Sequence, residues 1–253
     1  MESNPLPQGP APGSSNGLSL VGRLVAVFAR PTQAWSGLEK RGQWWFPLLI
    51  LVLVGMAGMG LIYQRAVVPT QLDQMELQVE SGQISAEGLD QAEKMLSSPA
   101  MVAVQVVMVL LILPLLTLAT ALLPWLAAGF MMGHRFRYRD AFAVTCWAGL
   151  VTLPAAVLTD VLAWVNRNML NVHIGFGALL PAEEAPSKLI RGLGFFLDYG
   201  IGPFYLWYIV VLALGTAALS GAPRRSVILA LGGLWLVVAI FFAALTGLLS
   251  PGA

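Results

Sequence analysis

Long apolar runs separated by short polar stretches make up most of this chain. Each run is about 20 residues or longer, which is enough for one helix to cross a hydrocarbon core of roughly 30 Å. The predicted spans are residues 44–64, 101–132, 141–165, 197–220 and 227–249. The pattern therefore predicts an all-α polytopic membrane protein with five transmembrane helices.

Residues 18–42 have a different pattern, because apolar and charged positions are mixed over two segments too short to span. They predict an amphipathic helical element on the membrane surface, with Phe28 and Trp35 dipped inward and cations near the headgroups. Those cations are Arg23, Arg30, Lys40 and Arg41. The alternative is a cytosolic helix packed under the bundle. Residues 1–17 have no signal-peptide pattern and predict a disordered cytosolic tail.

Prolines and polar stretches refine the spans. Pro114 and Pro124 lie inside the second run and predict a kinked or tilted helix, with a re-entrant break as the alternative. Residues 67–99 predict two short polar helices, the second beginning after Ser85 as N-cap. The acidic face of this loop is typical of a solvated surface.

Small residues recur every four positions in the last two spans and predict smooth faces for close helix packing. They are Ala213, Ala217 and Gly221 in one helix, and Ala239, Ala243 and Gly247 in the other.

The composition agrees with a membrane protein, with 57% hydrophobic residues, 11% charged residues and a mean hydropathy of +0.75. A soluble domain carries about a quarter charged residues. The net charge of +1 offers no field for nucleic acid. The single cysteine, Cys146, lies in an apolar run and is interpreted as a small buried hydrophobe.

The distribution of cations predicts the topology, because Lys and Arg are retained on the cytoplasmic side. Placing the N-terminus inside puts nine cations there: Arg23, Arg30, Lys40, Arg41, Arg135, Arg137, Arg139, Arg224 and Arg225. Five remain outside: Arg65, Lys94, Arg167, Lys188 and Arg191. The prediction is N-terminus in and C-terminus out, with residues 67–99 and 166–191 sharing the outer side.

No motif of a soluble enzyme is present, and the two histidines, His134 and His173, are predicted on opposite sides of the membrane. No catalytic residue, metal site or cofactor is predicted. Asp160 and Asp198 remain as ionisable groups in or beside apolar runs, with Arg65 at a similar depth. They are interpreted as packing or headgroup contacts, or alternatively as the lining of a transport path.

Several residues resemble the bacterial branch of the Yip1 family. Phe28, Pro31, Ala34 and Trp35 are similar to its N-terminal motif, and Trp45 and Pro47 to the start of its first span. The stretch from Ser85 to Pro99, with Glu87 and Gln91, resembles the loop helix of bacterial members. Later blocks are Tyr138-Arg139-Asp140-Ala141, then Asp198, Trp207, Leu212, Gly215, Ser220-Gly221 and Arg224-Arg225. The resemblance covers roughly residues 20–245.

The resemblance implies five spans with a cytoplasmic N-terminus. Eukaryotic members are associated with Rab GTPases, and some bacterial members with ABC exporters. This chain lacks a DLYGP-like stretch, so Rab binding is not carried over, and a prokaryotic cytoplasmic membrane is expected. The leading hypothesis is a non-enzymatic membrane scaffold or accessory subunit, whose partners are the lipid bilayer and an ABC exporter component or a second copy. The alternative is a transporter, channel or lipid-translocating protein using Asp160 and Asp198.

Overall fold

The computed structural model describes residues 17–169, 172–181 and 187–249, so the predicted tail lies outside them except for Gly17. Every regular element within these ranges is a helix. Five helical segments in them are long and apolar enough to span a membrane: Trp45–Glu80, Pro99–Met131, Tyr138–Asn166, Pro203–Ser220 and Arg224–Leu249. The predicted fold class, an all-α polytopic membrane protein with five spans, is confirmed.

The chain begins with two short helices, α1 (Leu20–Ala29) and α2 (Leu38–Arg41). Next, α3 (Trp45–Ile62) passes through a π-helical turn (Tyr63–Val67) into α4 (Val68–Glu80) without a break. The first helix therefore continues well past its predicted end near residue 64, and its polar last part projects from the apolar region.

The polar loop and the second span follow the prediction closely. Helix α5 (Ala86–Leu96) begins at the N-cap Ser85, whose hydroxyl accepts a hydrogen bond from the amide of Gly88 at 3.1 Å. Helix α6 (Pro99–Trp125) continues as a π-helical segment (Leu126–Met131). Because α6 is continuous through both internal prolines, the alternative prediction of a re-entrant break at either of them is wrong.

The third span changes its winding in the middle. Helix α7 (Tyr138–Gly149) is joined by a 3-10 turn (Leu150–Thr152) to α8 (Leu153–Asn166). Pro154 lies in the first turn of α8, where a missing backbone N–H is tolerated. The proline therefore divides the span into two helices without interrupting the crossing.

The fourth span begins later than predicted. Helix α9 (Lys188–Phe195) leads into a π-helical turn (Phe196–Gly200), and the chain breaks at Ile201 and Gly202 before α10 (Pro203–Ser220). The break frees backbone carbonyls, and that of Gly200 accepts a hydrogen bond from the Trp235 indole at 2.9 Å. The predicted span of 197–220 thus merges two structural pieces that α11 (Arg224–Leu249) holds together.

The main hydrophobic core surrounds α7. Trp147 is fully buried there, and its indole donates a hydrogen bond to the Gln43 carbonyl at 3.1 Å. Val27 of α1, Leu212 of α10 and Val227 of α11 belong to the same cluster. The third span is the most buried of the five, with 61% of its most apolar 18-residue stretch inside the bundle, whereas the corresponding share for the second span is 6%. Helix α7 is therefore central and α6 peripheral.

The polar segments gather at two ends of the bundle. At one, here called the near end, Phe136 packs against Leu219 beside the N-terminal helices. At the other, the far end, the Gln64 amide donates to the Ser97 carbonyl at 3.3 Å, and the Thr70 hydroxyl accepts from the Met169 amide at 2.9 Å. The segments predicted to share a side of the membrane therefore do share an end of the bundle.

Cysteine labelling tests which end lies in the cytoplasm. The native Cys146 is buried, so a Cys146→Ser background removes it without changing the surface. We expect an impermeant maleimide added to intact cells to label Gln91→Cys at the far end and to spare Arg135→Cys at the near end, since both positions are exposed. Labelling of position 135 from outside would reverse the predicted orientation.

Candidate functional site: the aspartates at the far end

Asp198 is the centre of a polar cluster at the far end. Its side chain is only 4% exposed. One carboxylate oxygen, Oδ1, accepts hydrogen bonds from the amides of Gly175 at 2.9 Å and Gly177 at 3.1 Å. The other, Oδ2, lies 2.6 Å from Nδ1 of His173. An ionised carboxylate only accepts hydrogen bonds, so in that state His173 carries the proton at Nδ1.

Two glycines allow this cluster to form. A side chain at Gly177 would collide with both the Asp198 carboxylate and the His173 ring, and one at Gly202 would collide with the Asp198 carbonyl. The π-helical turn at Phe196–Gly200 carries the aspartate against the loop. The cluster therefore fastens the loop 172–181 to the start of the fourth span.

Asp160 lies in α8, six residues before the helix ends at Asn166. Its carboxylate packs directly on Gly58 of α3, where a β-carbon would collide with it. It makes no hydrogen bond or ion pair within the parts of the chain that the structure describes. The glycine thus makes room in the first span for a carboxylate of the third.

The two aspartates lie in the same region but do not form a pair. The Tyr199 side chain, next to Asp198, is within electrostatic range of Asp160 as well. Their polar contacts nevertheless differ, since Asp198 is bonded to the loop while Asp160 faces α3. The arrangement therefore resembles a loop anchor and a separate half-buried acid.

Arg65, placed by the sequence at a depth similar to that of the two aspartates, pairs with neither of them among the described residues. Its Nε donates to the Trp164 carbonyl at 3.0 Å, and its guanidinium stacks 4.0 Å above the Trp164 ring. The partner of Asp198 is His173 instead. Sequence spacing could not select it, because residues 173 and 198 are brought together only by the loop.

The N-terminal element both packs on the bundle and presents an apolar face. Val21, Val25 and Phe28 of α1 are exposed along one side. Arg23 is fully buried, and its guanidinium donates to the carbonyls of Ala34 and Ser36. Trp35 is also buried, at 2% exposure.

The surface placement expected for Arg23 and Trp35 is therefore wrong, because both side chains fold inward to close the N-terminal segment on itself and on α10. Phe28, Arg30 and Lys40 are exposed, as a membrane-surface contact requires. The side chain of Arg41 lies outside the described residues. The alternative of a helix packed on the bundle thus accounts for one face of α1, and lipid contact stays a prediction for the other.

The cations of the two near-end turns are exposed: Arg135, Arg137, Arg139, Arg224 and Arg225. Arg137 forms an ion pair with Asp140 at 2.8 Å. The guanidinium of Arg139 lies against Gly42, which has a left-handed backbone with φ of 53°. The basic turn before α7 therefore adjoins the N-terminal element at the same end.

The small-residue face of α11 packs closely, but not against the matching residues of α10. Its partner is α9, because a β-carbon at Gly192 would lie 2.7 Å from the Ala243 carbonyl oxygen. A β-carbon at Gly247 would likewise lie 2.7 Å from that of Lys188. Ala239 packs beside Gly200 in the same groove.

In α10, Ala213 and Ala217 are buried, but Gly221 was misinterpreted as a packing residue. It ends the helix in a left-handed conformation with φ of 73°, and no atom would meet a β-carbon there. The close contact of α10 is at Gly215, where a β-carbon would lie 2.5 Å from Val144 and 2.9 Å from the Trp35 ring.

His173, Gly58 and Gly192 are site residues that no prediction from the sequence included. The alternation of His173, Gly175 and Gly177 could have indicated a tight polar loop, whereas nothing near Gly58 indicates Asp160. No group of three potential metal ligands occurs within the described ranges.

Comparison with known proteins identifies one relationship. The family model described as Yip1 domain matches residues 25–245, which is nearly the whole chain. No curated protein and no solved structure matches this chain.

Proposed function

The chain belongs to the Yip1 domain family, and from this membership we propose that it acts as a non-enzymatic membrane scaffold or accessory subunit of a larger membrane complex. Its bundle would hold partner helices in the bilayer rather than carry out chemistry. Its home would be a prokaryotic cytoplasmic membrane, with the N-terminus inside and the C-terminus outside. The excess of cations at the near end supports that orientation.

The use of Asp198 carries this proposal. A carboxylate inside a membrane protein is costly and usually serves function. Here both of its oxygens are occupied, by two backbone amides and the His173 ring. A group so engaged stabilises a loop, and releasing it for ion or substrate binding would leave two backbone amides, one of them buried, without partners. Its chemistry therefore favours architecture over transport.

The surface of α6 supplies the contact area that a scaffold needs. Leu110, Leu111, Leu115 and Leu116 are exposed along this helix, and little of it is covered by the rest of the bundle. Lipid alone can cover it, and so can a partner helix. We propose an ABC exporter component as that partner, with a second copy of the chain as the alternative.

A transporter remains the second candidate function because of Asp160. This carboxylate is half-buried against Gly58 and has no hydrogen-bond partner among the described residues. Such a group is free to exchange a proton. Its mutation therefore separates the two functions.

Measurement of proton flux into proteoliposomes with an entrapped pH dye distinguishes the scaffold from the transporter. We expect the wild-type chain to give no flux above protein-free vesicles under an imposed pH gradient, and Asp160→Asn to leave thermal stability unchanged. Asp73→Asn, an exposed acid of α4, is the matched control. Wild-type flux that Asp160→Asn alone abolishes would establish transport and reject the scaffold.

Photo-crosslinking in native membranes provides the positive test. A crosslinking amino acid at Leu115 on α6 should give one discrete adduct with another membrane protein or a second copy. The same amino acid at Gln91 on α5, outside the apolar region, should not give that adduct. Only lipid adducts at position 115 would contradict the proposal.

A further inference from the structure

A cationic pocket opens at the far end, away from the Asp198 cluster. It has a volume of about 400 Å³ and is lined by Gln64, Arg65, Pro69 and Arg167. Two of its four lining residues are arginines. No carboxylate forms an ion pair with either of them in the described part of the chain.

The guanidinium of Arg65 is held in place by groups that do not neutralise it. Stacking on the Trp164 ring at 4.0 Å and the hydrogen bond from Nε to the Trp164 carbonyl set its plane. The two terminal amino groups, Nη1 and Nη2, have no acceptor among the described residues. Arg65 is thus oriented, charged and able to bind an anion.

Arg167 reaches the pocket at a backbone position where glycine is the usual residue. It ends α8 with φ of 54°, and among the described residues no other non-glycine residue has a positive φ. Glycine adopts this conformation freely, whereas a side chain strains it. A strained residue beside an open pocket is an indication of function. Arg167, an exposed residue, therefore lines the same pocket as Arg65 and adds a second cation to it.

The depth of the pocket matches the headgroup layer. The distance from Trp45 to Arg65 along the helix is about 30 Å, at about 1.5 Å per residue step, which is the thickness of the hydrocarbon core. Trp45 and Trp164 are both partly exposed, as aromatic residues at the two interfaces usually are. A ligand in the pocket would therefore lie level with phospholipid phosphates.

Two guanidiniums suit a phosphate, because each offers parallel N–H donors that match its oxygens bidentately. The Gln64 amide nitrogen already donates to the Ser97 carbonyl, so recognition rests on the arginines. We propose that this pocket binds the phosphate of an anionic phospholipid headgroup in the leaflet at the far end.

Native mass spectrometry of the full chain in detergent tests this proposal with phosphatidylglycerol as the probe. We expect the wild type to retain the lipid, and Arg65→Gln and Arg167→Gly each to weaken retention about tenfold, the usual value of one charge-assisted contact. Diacylglycerol, which lacks phosphate, should not be retained. Arg224→Gln, an exposed arginine at the near end, is the control and should retain the lipid fully.

Arg167→Gly also separates binding from folding. Glycine relieves the left-handed backbone, so the thermal midpoint should stay equal or rise while retention falls. Equal lipid retention by the wild type and by the double variant that combines Arg65→Gln with Arg167→Gly would overturn the proposal. Displacement of the lipid by millimolar inorganic phosphate would overturn the lipid as the source and assign the site to a free anion, whereas retention in its presence supports the lipid.

Discussion

Asp198→Ala is expected to release the loop 172–181 and to destabilise the far end of the bundle. The change leaves the amides of Gly175 and Gly177 without an acceptor and the His173 ring without its partner. The buried amide of Gly177, left unpaired, costs about 1–3 kcal/mol. Gly175 and His173 are partly exposed and can turn to water, so they add less and the total loss is a few kcal/mol. Hydrogen exchange of residues 172–181 and the thermal midpoint in detergent measure it.

A double-mutant cycle divides this effect between its contacts. His173→Ala leaves the buried Oδ2 of Asp198 without its partner and should cost about 1–3 kcal/mol, while Asp198→Ala should cost at least as much because it also frees the two amides. The loss of stability in the double variant His173→Ala with Asp198→Ala should be smaller than the sum of the two single losses, because both changes remove the same contact. Asp90→Ala, an exposed acid of α5, should change neither measurement. If Asp198→Ala behaved like this control, the loop anchor would be refuted.

Gly192→Leu is expected to separate α9 from α11. Its β-carbon would meet the Ala243 carbonyl oxygen at 2.7 Å, and a backbone atom cannot rotate away as a side chain can. Overpacking typically costs about 1–3 kcal/mol, and a leucine in a backbone contact should reach at least the upper value. Cys146, which is buried, reports unfolding because a thiol-reactive dye can label it only after the core opens.

Gly233→Leu in α11 is the matched variant. No atom would meet a β-carbon at Gly233, which is exposed, and leucine has a higher helix propensity than glycine by up to about 1 kcal/mol. Its thermal midpoint should therefore stay level or rise, while that of Gly192→Leu falls by many degrees. Equal shifts in both variants would mean that α9 does not pack closely on α11.

Much of the candidate site could not be predicted, because its contacts join distant parts of the chain. Asp198 could be predicted because an acidic residue beside an apolar run is visible in the local sequence. Its partner His173 is 25 positions away in a polar loop, and only folding of that loop onto the π-helical turn brings the two together. Likewise, the burial of Arg23 depends on carbonyls of residues 34 and 36, which no pattern of periodicity reveals.

Local chemistry alone determined the number of spans, the grouping of the loops at two ends, and the Ser85 cap. A run of apolar residues must enter the bilayer wherever it occurs, and a capping hydroxyl acts within three residues. Tertiary structure decided which faces meet: α9 rather than α10 fills the smooth face of α11, and Gly58 accommodates Asp160. These choices depend on the shapes of the helices and the distances between them. Lipid tails are as apolar as the helix surfaces, so burying an apolar surface does not favour one partner helix over another. Close packing and polar contacts make that selection.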